Sequence, residues 1–366
     1  MTTGFVFHEL YLWHNTGNDP LFAPAGLTVQ PGEHAENPET KRRMKNLLEV
    51  SGLTDHLAML KPRPATDDEL ARFHTRAHID RIRQMSDSGG GDASEMTPFG
   101  TGSFEIAKLA AGGAIVALEA VLSGQVSNAY ALIRPPGHHA VADLGMGFCL
   151  FANAVVAIHH GRAVHGLGRV AVVDWDVHHG NGTQAAFYDD PQTLTISLHA
   201  DRLYPANSGT LAERGEGAGF GYNLNIPLPP GSGDGAYLDA VQRVVLPALH
   251  RFKPDLIVVA CGFDASAADP LGRMMVTSDG FARMTALVMQ AADALCGGRI
   301  MMTHEGGYSA QYVPYCGLAV LETLSGVSTG VVDPFLDHMK GFGQMELQPH
   351  QAAAVDAAAA LVADIG

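Results

Sequence analysis

The chain has 366 residues, of which 46% are hydrophobic and 17% charged, and its formal net charge is −15. Such a composition excludes a disordered chain, and the acidic balance, whose main effect is solubility, disfavours nonspecific nucleic-acid binding. No basic stretch followed by an apolar core opens the sequence, and no apolar run approaches the ~18 residues of a membrane span. A cytoplasmic protein with neither a nucleic-acid nor a membrane partner is therefore expected. Cys149, Cys261, Cys296 and Cys316 form no C-x-x-C pair, so neither a zinc knot nor a disulfide scaffold is expected.

Short apolar, β-rich runs recur along the chain at 4–8 (GFVFH), 129–135 (AYALIRP), 169–176 (RVAVVDWD), 193–199 (TLTISLH), 256–264 (LIVVACGFD) and 299–307 (RIMMTHEGG). Helical patterns separate most of them, as at 104–122, 235–251 and 279–296. Strands alternating with helices predict an α/β fold whose parallel sheet is covered on both faces. The nearly continuous apolar character of 169–173 and 256–260 marks central strands. There is no internal repeat. The Gly-rich stretches 86–102 and 207–223 are expected as surface loops too short to link domains, so 1–366 is expected to be a single domain.

Chemistry-bearing residues gather immediately after these runs. His138 and His139 follow the second, and Asp174, Asp176, His178 and His179 the third. His199 follows the fourth, Asp264 and Asp269 the fifth, and His304, Glu305 and Tyr308 the last. Ligands of open parallel sheets bind beyond the carboxyl ends of the strands, so these groups are predicted to converge. Side chains at i and i+2 of an extended segment share a side, so Asp176 and His178 can reach one ion, with Asp264 as a third ligand. One imidazole and two carboxylates leave an open position on a zinc-type ion, as a catalytic site requires. Such an ion acidifies water toward a pKa of ~7, a histidine of the pair takes the proton, and the Tyr308 phenol donates to an oxyanion. Each feature alone has a plainer interpretation. A lone D-x-H or His-His pair is common on surfaces, Tyr308 could simply pack, and an aspartate after a strand often caps the next helix, the preferred account of Asp269. Their joint placement at strand ends favours a site.

Taken together, PPGHHA (135–140), GFCLF (147–151), DWDVHHGNGT (174–183), SLH (197–199), GFDA (262–265) and EGGY (305–308) resemble the zinc-dependent histone deacetylase superfamily. The resemblance is to its class II branch and to bacterial histone deacetylase-like amidohydrolases above all, and it runs from about residue 4 to about residue 326. It implies a three-layer αβα, arginase-like fold with a central, mostly parallel eight-stranded sheet, and hydrolysis of an acylated amine, typically N-acetyl-lysine. It places the zinc ligands on Asp176, His178 and Asp264, the catalytic histidines on His138 and His139, and the oxyanion tyrosine on Tyr308. Asp174 would support His138. Asn181 stands where much of the family has an aspartate, so His139, lacking that negative charge, is expected to be less basic. The resemblance also implies potassium at Asp174, Asp176, His178, Ser197 and Leu198, and at a second site of Phe187, Asp190, Thr193 and Tyr222. Phe148 and Tyr204 would line the substrate channel with Gly147. Leu271 stands where polyamine-selective relatives carry a glutamate, which favours an acyl-lysine peptide over an acetylpolyamine. A dimanganese ureohydrolase on the same fold would need a carboxylate at Ser266, and a silent acyl-lysine binding module would usually lack the tyrosine. The oligomeric state is left open, with 86–102 and the C-terminal helical stretch 350–365 as candidate contact surfaces.

Overall fold

Eight of the ten strands pair in parallel in the computed structural model, which describes residues 2–21, 23–94, 96–343 and 345–366. The strands are β1 (Thr3–Val6), β2 (Ala58–Leu60), β3 (Gly90–Asp92), β4 (Pro98–Gly100), β5 (Asn128–Ala131), β6 (Val170–Asp174), β7 (Thr193–Ala200), β8 (Asn223–Leu228), β9 (Leu256–Cys261) and β10 (Ile300–His304). The large sheet has the order β2-β1-β5-β10-β9-β6-β7-β8, and β3 and β4 form a separate antiparallel hairpin.

Both faces of the sheet are buried. In β6 and β9, Ala171, Val173, Ile257 and Val259 belong to one apolar core, and Val170, Val172, Leu256 and Val258 to the other. This is the alternation of a strand covered on both sides, and it yields the nearly continuous apolar runs seen in the sequence. The helices Ser103–Leu122 and Asn153–His165 close one face, and Ser278–Cys296 and Val313–Ser325 the other. The fold is thus the three-layer α/β architecture expected, with an all-parallel eight-stranded sheet. Parallel register matters most at the C-terminal edge. Asp174 pairs with Ala260 and Ser197, Ala260 with Thr303, and Thr303 with Ala131, so the ends of β5, β10, β9 and β6 lie side by side, with β7 running on beside β6.

Some elements depart from the sequence pattern. Strands β2 and β8 have no counterpart among the six predicted runs. β8 carries Asn223, Asn225 and Pro227, which an edge strand tolerates, and β2 is only three residues long. The 86–102 loop contains the β3–β4 hairpin, made largely from glycines without apolar alternation. The 235–251 helix is interrupted, with a π turn at Val241–Val245 ahead of Pro247, which has no N–H to donate. The C-terminal stretch is α-helical only over Pro349–Ala359 and then tightens to a 3-10 turn. All four cysteines are free and buried. Among the described residues no helix is long and apolar enough to cross a membrane.

The loop after β5 is anchored by a buried ion pair. Arg134 Nε donates to both carboxylate oxygens of Glu36, at 2.8 and 3.0 Å, and its other nitrogens donate to the carbonyls of Tyr11, His14 and Glu36. Lys41 Nζ lies 3.3 Å from the same carboxylate. Burial disfavours the charged carboxylate, but the two cations outweigh it and hold Glu36 at about 2. Removing one partner of a buried pair leaves an uncompensated charge. Arg134→Ala should therefore lower the unfolding free energy by about 3–5 kcal/mol, read as a reduced denaturation midpoint at constant m-value; a change within error would show that the pair is dispensable.

Candidate metal centre and active site

Three side chains from two strand ends meet below the sheet edge. Asp176 and His178 follow β6, and Asp264 follows β9; both carboxylates are fully buried. Both carboxylates accept from backbone donors, and Asp176 does so on both oxygens, its Oδ1 accepting from His178 N at 2.9 Å. Asp176 Oδ2 accepts from Gly306 N at 2.8 Å, and Asp264 Oδ1 from Val177 N at 2.8 Å. Asp176 Oδ1 and Asp264 Oδ2 lie 3.1 and 3.0 Å from His178 Nδ1. Burial alone would keep His178 neutral, but its bonds to both carboxylates outweigh this and raise it to about 10. Burial and the charge of Asp176 lift Asp264 to about 6. A cluster in this state is stabilised by a positive charge at its centre. Ligands around a tetrahedral zinc-type ion with bonds near 2.0–2.1 Å stand ~3.3 Å apart, close to the separations here. The donor set, one imidazole nitrogen and two carboxylate oxygens, thus fits such an ion.

Gly306 closes this centre from the β10 side. A Cβ there would sit 2.1 Å from Asp264 Oδ2 and 2.6 Å from Asp176 Oδ2, so only glycine lets the backbone N–H reach the carboxylate.

The histidines after β5 lie with ring centroids 3.9 Å apart and ring planes tilted by 41°. His138 Nδ1 is 3.0 Å from Asp174 Oδ2. Burial opposes its charge, but Asp176 and then Asp174 outweigh this and raise it to about 10. His139 Nδ1 faces the Asn181 carbonyl oxygen at 2.7 Å, while the Asn181 amide nitrogen donates back to the His139 carbonyl. An amide oxygen only accepts, so Nδ1 carries the proton and Nε2 the lone pair. His139 lies well below the ordinary histidine value, as expected, but the cause differs from the one anticipated. Burial is the largest contribution, followed by the charges of His138 and His178, and the bond to Asn181 raises the value.

A cavity of about 430 Å³ opens over the centre, and His139, Gly147, Phe148, His178, Tyr204, Leu271 and Tyr308 line it. All four residues assigned to the channel are therefore in its wall. Phe148 meets Tyr308 edge-on with ring centroids 5.8 Å apart, and Tyr204 meets His139 at 5.0 Å. Burial raises the Tyr308 phenol well above its usual value, so it stays protonated and can donate.

Three supporting residues carry more than the sequence suggested. Asp269 does not cap the next helix; Thr277 does, through Gly280 N. Asp269 instead accepts from Leu271 N and Gly272 N with one oxygen and from Tyr308 N at 2.7 Å with the other, clasping the channel rim to the tyrosine. Glu305 Oε2 accepts from Gly137 N at 2.7 Å and His138 N at 3.1 Å, fixing the histidine loop from β10. His179 turns away from the cavity, bonding Ser208 and Gln184 through its ring and the Tyr204 carbonyl through its N–H. The two His-His pairs are thus unequal: in the first, one ring lines the cavity and the other is held beside it by Asp174, whereas in the second only the His178 ring lines the cavity and His179 holds Tyr204 through its backbone N–H. A charged residue after a strand was the only signal available for Glu305 and Asp269.

Of the residues assigned to potassium, Asp174 and Ser197 are cross-strand partners, with Leu198 next along β7. Phe187, Asp190 and Thr193 share one turn, linked by Asp190 N to the Phe187 carbonyl and Thr193 N to that of Asp190. The Tyr222 carbonyl accepts from Thr195 N instead, and Arg162 already occupies the Asp190 carboxylate.

Residues 34–324 match the family model described as histone deacetylase domain. The chain is 54% identical over 354 residues to a histone deacetylase-like amidohydrolase of Pseudomonas aeruginosa, covering 96% of this chain and 92% of that protein. It is 34% identical over 338 residues to the human polyamine deacetylase HDAC10, covering 89% of this chain and 48% of that protein. The crystal structure of the HDA15 HD domain superposes with a TM-score of 0.82 at 34% identity, covering 99% of both chains.

The channel wall leaves no room at Gly147, whose φ is +48° and whose Cβ would stand 2.4 Å from His139 Cδ2 and 2.9 Å from Tyr204 Cε1. Gly147→Ala should lower kcat/KM by about 100-fold through misplacement of His139, while stability falls by only about 1–2 kcal/mol. Wild-type turnover in this variant would show that the two rings have room to move.

Proposed function

Because the chain belongs to the histone deacetylase family and is an amidohydrolase of that type, we propose that it hydrolyses the acyl amide of acetyl-lysine or a related acylated amine within one catalytic unit. The observation that carries this is the convergence of Asp176, His178 and Asp264 under a cavity that also exposes His139 and Tyr308. These three would hold one zinc ion, which when bound supplies a Lewis acid for the acyl carbonyl and acidifies water.

The chain's own groups do the rest. Phe148 and Tyr204 enclose the alkyl stem of the acylated amine and exclude water around it. His139 Nε2, kept neutral with Nδ1–H donated to Asn181, accepts a proton from the attacking water. The Tyr308 hydroxyl donates a hydrogen bond to the oxygen that gains charge as the carbonyl carbon becomes tetrahedral. The histidine pair returns a proton to the amine nitrogen as the C–N bond breaks, giving a free amine and a carboxylate. Asp174 holds His138 through Nδ1, and Glu305 holds the loop of both histidines. Asp174, Asp176, His178, Ser197 and Leu198, with the Phe187–Thr193 turn and Tyr222, would hold structural potassium.

Leu271 supports the acyl-lysine form of the substrate. It sets an apolar side chain in the cavity wall, where the internal ammonium of an acetylated polyamine would lack a carboxylate. Ser266 supports a mononuclear centre, since no second carboxylate is available there to bridge two ions.

Turnover of a fluorogenic acetyl-lysine amide by the purified chain tests the proposal. Chelation should abolish it and stoichiometric zinc should restore it. Tyr308→Phe should reduce kcat by about 100- to 1000-fold with little change in KM. Equal rates for wild type and variant, or activity that survives removal of the metal, would contradict the mechanism. On the same preparation, kcat/KM should be higher for acetyl-lysine peptides than for N-acetylated polyamines; the reverse order would overturn the substrate assignment alone.

A further inference from the structure

A second cluster of metal-ligating groups lies away from the cavity. Glu119 on the helix Ser103–Leu122 faces His160 and His165 on the helix Asn153–His165. Both helices lead down from the C-terminal edge of the sheet toward the start of a following strand, β5 or β6, and none of the three residues lines the cavity. Glu119 Oε1 is 2.9 Å from His160 Nε2 and 3.5 Å from His165 Nε2, and the three ligand atoms all fall within 4.8 Å of one another. These separations bracket the ~3.3 Å between neighbouring ligands of a tetrahedral zinc-type ion. We propose that Glu119, His160 and His165 form a second transition-metal site that clips these two helices together.

Two imidazoles directed at one carboxylate oxygen are poorly served by hydrogen bonding alone, because His165 stands at the limit of that distance. One ion between the three atoms satisfies them together. The surroundings supply the outer support that metal-bound histidines require. Glu69 Oε1 lies 3.1 Å from His160 Nδ1, and Glu69 is itself fixed by Arg63 at 2.8 and 2.7 Å and by Thr66 N at 2.7 Å. A carboxylate accepting Nδ1–H orients the ring and leaves the Nε2 lone pair for the ion. His160 is buried, whereas Glu119 and His165 are about one-third exposed, so the ion has a way in and the fourth position remains for water.

Arg72 controls access to this arrangement. Its NH1 lies 2.8 Å from His160 Nδ1. A guanidinium only donates, so without an ion Nδ1 accepts from Arg72, and Nε2–H donates to Glu119. Metal entry moves that proton from Nε2 to Nδ1, where Glu69 accepts it, and displaces the half-buried Arg72 side chain. An N2O donor set selects zinc, nickel or copper over calcium or magnesium.

Metal content decides the question. The zinc-loaded chain is incubated with excess Zn²⁺, desalted and analysed for metal per chain, with thermal unfolding followed in parallel. Wild type should retain two zinc ions, and His165→Ala and Glu119→Gln one each, with turnover of the acetyl-lysine amide unchanged in both. Added zinc should raise the Tm of wild type above that of either variant. Arg72→Ala, which frees Nδ1 for Glu69, should bind the second ion more tightly than wild type. A single zinc in wild type, or two in all the variants, would overturn the proposal.

Discussion

Two fully buried carboxylates, Asp176 and Asp264, each turn one oxygen toward His178 Nδ1, and much of the structure can be understood as accommodating that fact. Taking a carboxylate out of water is costly unless donors and a counter-charge replace the lost hydration. Here the backbone N–H groups of Gly306 and Val177 satisfy one oxygen of each acid, and His178 stands between the other two. That solution draws on the ends of three adjacent strands, β6, β9 and β10. It is possible because the parallel register brings those ends level, and because glycine at 306 lets the chain pass close enough to donate.

The surrounding residues form a graded environment in which chemically identical groups acquire different properties. His138 and His139 are neighbours in sequence and in space, yet one is pushed up to about 10 and the other far down. The first faces Asp174 and Asp176; the second faces a neutral amide and lies beside positive charge. Separated proton affinities suit a pair that must both accept and return a proton. The geometry is held from behind. Glu305 fixes the loop carrying both rings, Asp269 joins the channel rim to Tyr308, and Arg134 secures the start of that loop to the N-terminal segment through Glu36.

How much of this could be read from the sequence follows from range. Asp176, His178 and Asp264 stand out because each lies directly after an apolar run, and the parallel-sheet rule then brings the run ends together. The central strands and the helices at 104–122 and 279–296 were legible because their apolar character is local in the sequence and bounded by turn residues. The edge strands β2 and β8 lack that pattern because β2 is only three residues long and β8, though mostly buried, is interrupted by Asn223, Asn225 and Pro227. Glu305 and Asp269 act on residues far away in sequence, as does Glu36 on Arg134, so no local pattern announces their roles. The low basicity of His139 agrees with the expectation drawn from Asn181, but burial and the charges of His138 and His178 cause it, and the bond to Asn181 works the other way.

The central claim, that these three side chains hold one cation, is tested most directly by X-ray absorption at the zinc edge on the metal-loaded chain. On the His165→Ala background, which keeps only this ion, one nitrogen and two carboxylate oxygens at about 2.0–2.2 Å, with the nitrogen signal lost when His178→Ala is added, is the predicted result. A first shell containing sulfur, or one that His178→Ala leaves unchanged, would contradict it.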